Sequence, residues 1–549
     1  MKRIFASIMF VFMLFSITLS LSACSTENTA KADEIVIYNW ADYIYDFEDD
    51  FKEYYKEVTG KNIKITYTTF DTNETMITKI TKGDSKVDVI CPSEYAIQKL
   101  MEMDYLVPLN YFSEDVSKYL DTSKLVGYEH YSQNLDNNII EKIDAGFGNI
   151  TCTKENGTSY SANMLDYMVP YMYGTLGILY NKEEFKRLGI FDKEIMNTAN
   201  WGILFNDSGK RDKEGNIIPL SEELSGSILM KDSIRDSYAA TLFYLMETGK
   251  LDNLTMEDGR QYTDLTASEL INTVDDNIIE LAKEALVEQK NELFGYEVDF
   301  GKDDLLIGNA MVDLAWSGDA LYAVEESWND DLNDGEGDYE LGYYVPHTYG
   351  NIWFDGWVVP KTYNPKHETA VKLFINFLNT AEVSAANTLE IGYTSAVDNQ
   401  VVLESEEARA ILAEGYIVNA PEYLDQEVLD SFEGEYDFES WEEFEDYFFN
   451  SFGEMDDSNW RYPFEKIDDS ENDYNRSIND LGMMRDFGDK NNDIVTMWNY
   501  ARSVGVSALP IFAIVILVLG LAIAVIYLVY FISQKRAMSI KVSSLNKKE

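Results

Sequence analysis

Between Ile35 and Met103 the chain switches its hydrophobic period again and again. Ile35-Val36-Ile37-Tyr38 is a short apolar run, residues 47–58 space their aromatics as a helix does and stop at Gly60, and residues 63–70 alternate apolar with polar or threonine positions. Residues 73–81 have a helical period, Val87-Asp88-Val89-Ile90 reads as a strand, and residues 95–103 read as a further helix. Strand and helix in strict turn predict an α/β fold, a parallel sheet with helices on its faces. The pattern returns where an amphipathic helix over 370–378 follows the strand Trp357-Val358-Val359.

Both ends of the chain carry membrane signals. Lys2 and Arg3 precede an apolar run over residues 4–19, closed by Leu21-Ser22-Ala23-Cys24. A basic start, an apolar centre and small residues before a cleavage point make an export signal over 1–23. Those last four residues also resemble the bacterial lipobox, so Cys24 is the expected lipidation site. Residues 509–534 form an uncharged stretch of 26. At about 1.5 Å per residue it is long enough to cross a hydrocarbon core of roughly 30 Å as a transmembrane helix. Lys535, Arg536, Lys541, Lys547 and Lys548 follow against Glu549 alone, which predicts a cytoplasmic basic tail over 535–549. The chain between is expected on the extracytoplasmic face of the cell membrane, held by a lipid at Cys24 and a helix at 509–534.

Charge narrows what that exported part can do. The chain has 97 Asp and Glu against 44 Lys and Arg, a formal −53; the signal is doubly positive and the tail carries a net four positive charges, so the exported part carries −59. A surface of that sign repels nucleic-acid phosphates and anionic lipid, and excludes nucleic acid as a partner. Its self-repulsion predicts that salt or bound cations help it fold. The acids concentrate in an insert over 401–480, where 25 stand against Arg409, Arg461, Lys466 and Arg476. Phe432, Trp441 and Phe444 are among the aromatics interleaved with them, and Ser440 followed by Glu443 is a capping-box pattern. The insert reads either as a solvated acidic decoration with its own small core or as a cation-concentrating, partner-binding surface.

Catalytic motifs are missing from the sequence, with no Walker loop, no Gly-x-Gly-x-x-Gly, no Gly-x-Ser-x-Gly and no His-Glu-x-x-His. No cofactor or metal is expected, and the chain is not expected to be an enzyme. Cys91 and Cys152 either pair outside the cell or remain two buried thiols. What stands out instead is aromatic–acid clusters near strand ends: Asn39-Trp40-Ala41-Asp42-Tyr43, Cys91-Pro92-Ser93-Glu94-Tyr95, Trp316-Ser317-Gly318-Asp319 and Trp353-Phe354-Asp355-Gly356. In open parallel sheets ligands sit beyond the carboxyl ends of strands. Rings and carboxylates converging there suit an elongated organic cation, with about 0.5–2 kcal/mol per ring for its ammonium groups and charge-assisted hydrogen bonds at its ends.

Tyr38-Asn39-Trp40 with Tyr43, then Asn73-Glu74-Thr75-Met76, then the stretch from Asp88 to Tyr95 occur in order; Pro170-Tyr171-Met172-Tyr173-Gly174, Trp316 to Ala320, Trp353 to Pro360 and Ile391-Gly392-Tyr393 follow. This ordered series resembles the spermidine/putrescine-binding proteins of ABC importers, over roughly residues 34–100, 168–182, 225–245 and 305–395. The resemblance implies a two-lobed periplasmic-binding-protein-like fold with hinge-crossing strands: lobe 1 from 34–175 and 354–395, lobe 2 from 176–353 and 396–500, the latter including the insert. It implies capture of a polyamine, spermidine or putrescine, by lobe closure, and delivery to ABC permease subunits. Carried over by position, the ring of aromatic contacts falls on Trp40, Tyr43, Tyr95, Trp316, Trp353 and Tyr393. Ser93 would hydrogen-bond an amine, Asp355 would grip an ammonium and Asp236 would stand near the other end of the ligand, while Asp42 and Asp319 resemble acids of the putrescine-preferring branch. An acid of the spermidine-preferring branch is replaced by Ser233, beside Asp232, and a C-terminal glutamine has no counterpart near Met484. Other readings of the same clusters are a binding protein for another cationic solute, a surface glycosidase using two of the acids, and an anchored adhesin.

Overall fold

The computed structural model of the chain describes residues 32–83, 86–109, 134–190, 201–256, 258–327, 340–346, 348–416 and 481–504. Cys24, the segment 509–534, the tail 535–549 and the part of the insert at 417–480 lie outside the described residues. Among the described residues no helix is long and apolar enough to cross a membrane.

The N-terminal alternation folds much as its periods predict. Strands β1 (Asp33–Trp40), β2 (Ile63–Phe70) and β3 (Val89–Ile90) run parallel with β1 in the middle. Helices α1 (Glu48–Thr59), α2 (Asn73–Thr81) and α3 (Glu94–Glu102) follow them in turn. The Thr72 side chain caps α2 by accepting from the Thr75 N–H, which satisfies one of the donors a helix start leaves open. Strand β3 is shorter than the run 87–90, because the Asp88 carboxylate replaces part of the ladder. Its Oδ2 accepts from the Val36 N–H at 2.8 Å and its Oδ1 from the Asn364 N–H at 2.9 Å.

The rest of the sheet is built from β4 (Met168–Asn181), β5 (Ile228–Lys231), β6 (Leu293–Glu297), β7 (Val312–Trp316), β8 (Leu341–Tyr344), β9 (Asn351–Val358) and β10 (Thr394–Ser395). The helices that bear on it are α4 (Ile234–Glu247), α5 (Gly301–Leu306), α6 (Ser317–Ser327), α7 (Glu368–Leu378), α8 (Ala381–Ile391) and α9 (Asn491–Ser503). Ten strands join into one mixed sheet, whose main path runs β6-β5-β7-β4-β9-β3-β1-β2. All 14 residues of β4 are buried, which explains why it reads as one continuous apolar run. Its first part pairs antiparallel with β9 and its second part antiparallel with β7 and β8. The sheet is therefore not purely parallel: β4 and β9 carry the chain across the molecule in opposite senses.

Two hydrophobic cores meet at that crossing. One gathers Ile35 through Tyr173 together with Ile352 through Met483; the other runs from Leu176 through Leu314 and resumes at Met484. The seam falls on β4 between Tyr173 and Leu176, and Tyr95 and Trp316 pack against both cores. Residues 396–416, assigned to the second lobe from the sequence, pack on the first side instead. Ala396 belongs to the first core, Val397 bridges to Leu135, and Ser405 Oγ donates to Glu382 of α8 at 2.7 Å. Cys91 and Cys152 are both buried free thiols.

Candidate ligand-binding cavity

At the C-terminal end of β1 the chain turns through Ala41 and Asp42, whose φ of 45° lies in the left-handed region that aspartate tolerates better than most residues. The turn points Tyr43 inward, where its ring meets Tyr171 edge-on at 5.7 Å and Tyr393 at 5.2 Å between centroids. Beyond β3, Ser93 precedes α3 and Tyr95 lies in its first turn. Asn73 of α2 orients both, its Nδ2 donating to Ser93 Oγ at 3.0 Å and to Tyr95 Oη at 2.9 Å.

Trp353 and Asp355 are placed differently from the expectation. They do not precede a strand; they sit inside β9, on the crossing itself. The register of β9 against β4 slips between Asp355 and Gly356, with Asp355 opposite Met172 and Gly356 opposite Pro170. Pro170 has no N–H to give to the ladder, so the pairing bulges there, and a bulge re-aims the side chains beside it. Asp355 also forms an isolated antiparallel bridge with Ser93. Gly174 on β4 makes room for the neighbouring indole: a Cβ added there would stand 2.6 Å from Trp353 Cζ2 and closer still to Ser317 Oγ.

The second core supplies the facing wall. Ser233 caps α4, accepting from the Asp236 N–H, and Asp236 occupies its first turn. Trp316 ends β7, and Asp319 lies in the first turn of α6. Gly318 is the other close approach, because an added Cβ would enter the Tyr393 ring. Beneath Trp316, Lys231 Nζ lies 4.4 Å from the ring centroid. That lysine is buried with Glu297 and Asp313, and accepts its charge because these acids outweigh the burial that opposes it.

All eleven residues expected from the sequence line one cavity: Trp40, Asp42, Tyr43, Ser93, Tyr95, Asp236, Trp316, Asp319, Trp353, Asp355 and Tyr393. Its walls border about 930 Å³ of empty space, part of it open to solvent. Nine carboxylates line it against one ammonium among the described residues, that of Lys302. Glu74, Glu94, Asp299 and Lys302 are lining residues to which sequence reasoning assigns no contact, though Glu74 and Glu94 stand within its motifs. Glu94 stood between two named positions, Ser93 and Tyr95; Lys302 gave no signal, being one lysine in Gly301-Lys302-Asp303-Asp304. Asp319 is not an open acid, since Lys302 Nζ pairs with its Oδ1 at 3.0 Å.

Burial dominates the electrostatics. It pushes the Asp355 carboxyl up to about 7, although the Ser93 and Tyr43 hydroxyls pull the other way. Asp236 is raised by burial too, against Ser233 and Trp316 as donors and the charges of Lys231 and Arg235. Asp355 Oδ1 and the indole nitrogens of Trp40 and Trp353 are buried with no hydrogen-bond partner among the described residues. A buried carboxylate oxygen without a donor is costly to leave unpaired, so this wall is complementary to a cation that brings its own N–H groups. No group of His, Cys, Asp and Glu among the described residues is arranged to hold a metal ion.

Two cores joined by crossing strands, with a deep cavity at the crossing, define a two-lobed binding protein. Residues 49–410 match the model of the bacterial extracellular solute-binding proteins, and the chain belongs to that family. It is a family of extracellular solute binders rather than enzymes, which sets the glycosidase reading aside. The chain is 24% identical over 396 residues, 72% of its length and 87% of the relative's, to the putrescine-binding periplasmic protein SpuD of Pseudomonas aeruginosa. It is 23% identical over 370 residues, 67% of its length and 79% of the relative's, to the spermidine/putrescine-binding periplasmic protein of Salmonella typhimurium. Among solved structures, the substrate-binding protein PotD of Streptococcus pneumoniae is similar with TM-score 0.42 and 24% identity, covering 70% of this chain and 91% of its own. The TpPotD lipoprotein of Treponema pallidum is similar with TM-score 0.48 and 14% identity, covering 86% and 99%.

Proposed function

We propose that this chain is the polyamine-capturing component of an ABC importer, and that the cavity takes spermidine or putrescine by closure of its two lobes. The observation that carries the reading is the lining itself: among the described residues, nine carboxylates, one ammonium and six Trp or Tyr rings drawn from both sides of the crossing. Asp355 from the crossing strand and Asp236 from α4 supply charge to opposite walls. Trp40, Tyr43, Trp353 and Tyr393 on one side and Trp316 on the other supply faces for the methylenes and the ammonium groups. Closing the lobes removes water from these contacts, which strengthens each of them. The named polyamine ligands of the relatives support the same assignment. Lipid at Cys24 and a helix over 509–534 would tether the receptor beside its permease and raise its effective concentration there; the support for both is the sequence of those segments.

Calorimetric titration of the full-length chain with putrescine, spermidine and spermine tests the reading. Saturable binding of at least one of them is expected. Silence toward all three, with binding of another organic cation such as arginine, would replace the ligand class while leaving the family in place.

A further inference from the structure

Asn73 opens α2 and is buried, so its planar amide has to find partners inside the protein. The amide carries one acceptor and two donors, and all three are used at one place. Its Oδ1 accepts from the Ser93 backbone N–H at 3.3 Å. A backbone N–H can only donate, which fixes the oxygen on that side and the amide nitrogen on the other. There Nδ2 donates to Ser93 Oγ at 3.0 Å and to Tyr95 Oη at 2.9 Å. A hydroxyl that accepts in this way still has its own proton to give. That of Ser93 is left for Asp355, which bridges Ser93 through the backbone and whose ionised form the Ser93 hydroxyl favours. That of Tyr95 is left for the cavity, on the side of Glu74 and Asp236.

From this arrangement we propose that Asn73 is a positioning residue for ligand capture, which turns the protons of Ser93 and Tyr95 toward the cavity's carboxylates and so holds those acids ready for a bound ammonium. The inference rests on the polyamine reading above and deepens it. Aspartate at position 73 has the same shape and still accepts from the Ser93 N–H, but it carries an oxygen where Asn73 carries its donor. Both hydroxyls then turn their protons to it, away from the acids that meet the ligand. The added negative charge, taken alone, strengthens the hold on a polycation. These two effects have opposite signs, so one substitution separates them.

The test is calorimetric affinity for putrescine and spermidine on the full-length chain, on Asn73→Asp, on Ser93→Ala/Tyr95→Phe and on the three substitutions together, with thermal unfolding as the check that each variant folds. Asn73→Asp is expected to weaken binding by about tenfold or more, in spite of the charge it adds. In the Ser93→Ala/Tyr95→Phe background there is no hydroxyl left to turn, and the same substitution is expected to cost nothing further. Affinity in Asn73→Asp equal to or above that of the wild type overturns the inference while polyamine binding stands. A loss of the same size in both backgrounds overturns it too, because Asn73 then acts through α2 rather than through the hydroxyls. Should Asn73→Asp not fold, Asn73→Ala makes the same comparison between the two backgrounds. A wild-type chain that binds neither amine would overturn the polyamine reading itself and this inference with it, an outcome separate from either of the others.

Discussion

The backbone N–H of Phe354 donates to Glu94 Oε2 at 3.1 Å, across 260 positions of sequence. The other oxygen of the same carboxyl accepts from the Met484 N–H at 3.3 Å. One buried side chain thus ties helix α3, the crossing strand β9 and the C-terminal segment together where the two cores meet. Burial, reinforced by the Asp355 charge, pushes Glu94 up to about 8.

That shift has a direction in stability. An unfolded glutamate titrates near about 4.3, so over roughly pH 5 to 8 the folded chain holds a proton that the unfolded chain has released. The stabilisation from that proton is present at low pH and fades as the pH rises through the folded value. Glu94→Gln is expected to flatten the fall of the unfolding midpoint between roughly pH 5.5 and 8.5. Equal slopes for the two proteins would show that Glu94 does not drive it.

Asp355 titrates up to about 7 in the same sense. A bound ammonium favours its ionised form, so binding below that value must expel a proton and affinity must fall as the solution is acidified. Calorimetry at about pH 6.5 in buffers of different ionisation enthalpy should register net proton release. Asp355→Asn should abolish that release and weaken polyamine binding tenfold or more, about 1.4 kcal/mol. An unaltered affinity would place the ammonium elsewhere.

Trp353 meets Tyr393 edge-on, 5.4 Å between centroids. Trp353→Ala should weaken polyamine binding at least tenfold, with Trp353→Phe between the two. Alanine and tryptophan variants of equal affinity would leave the indole a packing role alone.

Gly174→Ala asks whether the crossing is as tight as it looks. Its new Cβ meets Trp353 Cζ2 at 2.6 Å, and overpacking of this kind typically destabilises by about 1–3 kcal/mol. A lower unfolding midpoint together with weaker binding is expected. An unmoved midpoint would show that the indole yields.

Salt offers a check on the carboxylates as a group. Raising sodium chloride from about 0.05 M to about 0.5 M shortens the screening length several-fold, and polyamine affinity should drop with it. Salt-independent affinity would shift the weight from charge to the rings.

Much of this architecture is legible in the amino-acid sequence. The strands at 35–38 and 63–70 and the helices beside them announce themselves by period, because a period is set by which neighbours a side chain shares a face with. The clusters after β1, β3 and β7 were readable for the same reason: each is a short run at a strand's carboxyl end. Contacts between distant stretches were not. Nothing near Trp353 tells that it lies within a crossing strand, since that depends on β4 pairing with β9 and on Pro170 breaking the register. Nothing near Lys302 tells that Asp319 is its partner, and residues 396–416 give no local sign of which core they join. Local chemistry chose the elements and the kinds of side chain in the cavity. Packing between distant segments chose which carboxylate is neutralised, which keeps one buried oxygen without a partner among the described residues, and on which strand the central indole stands.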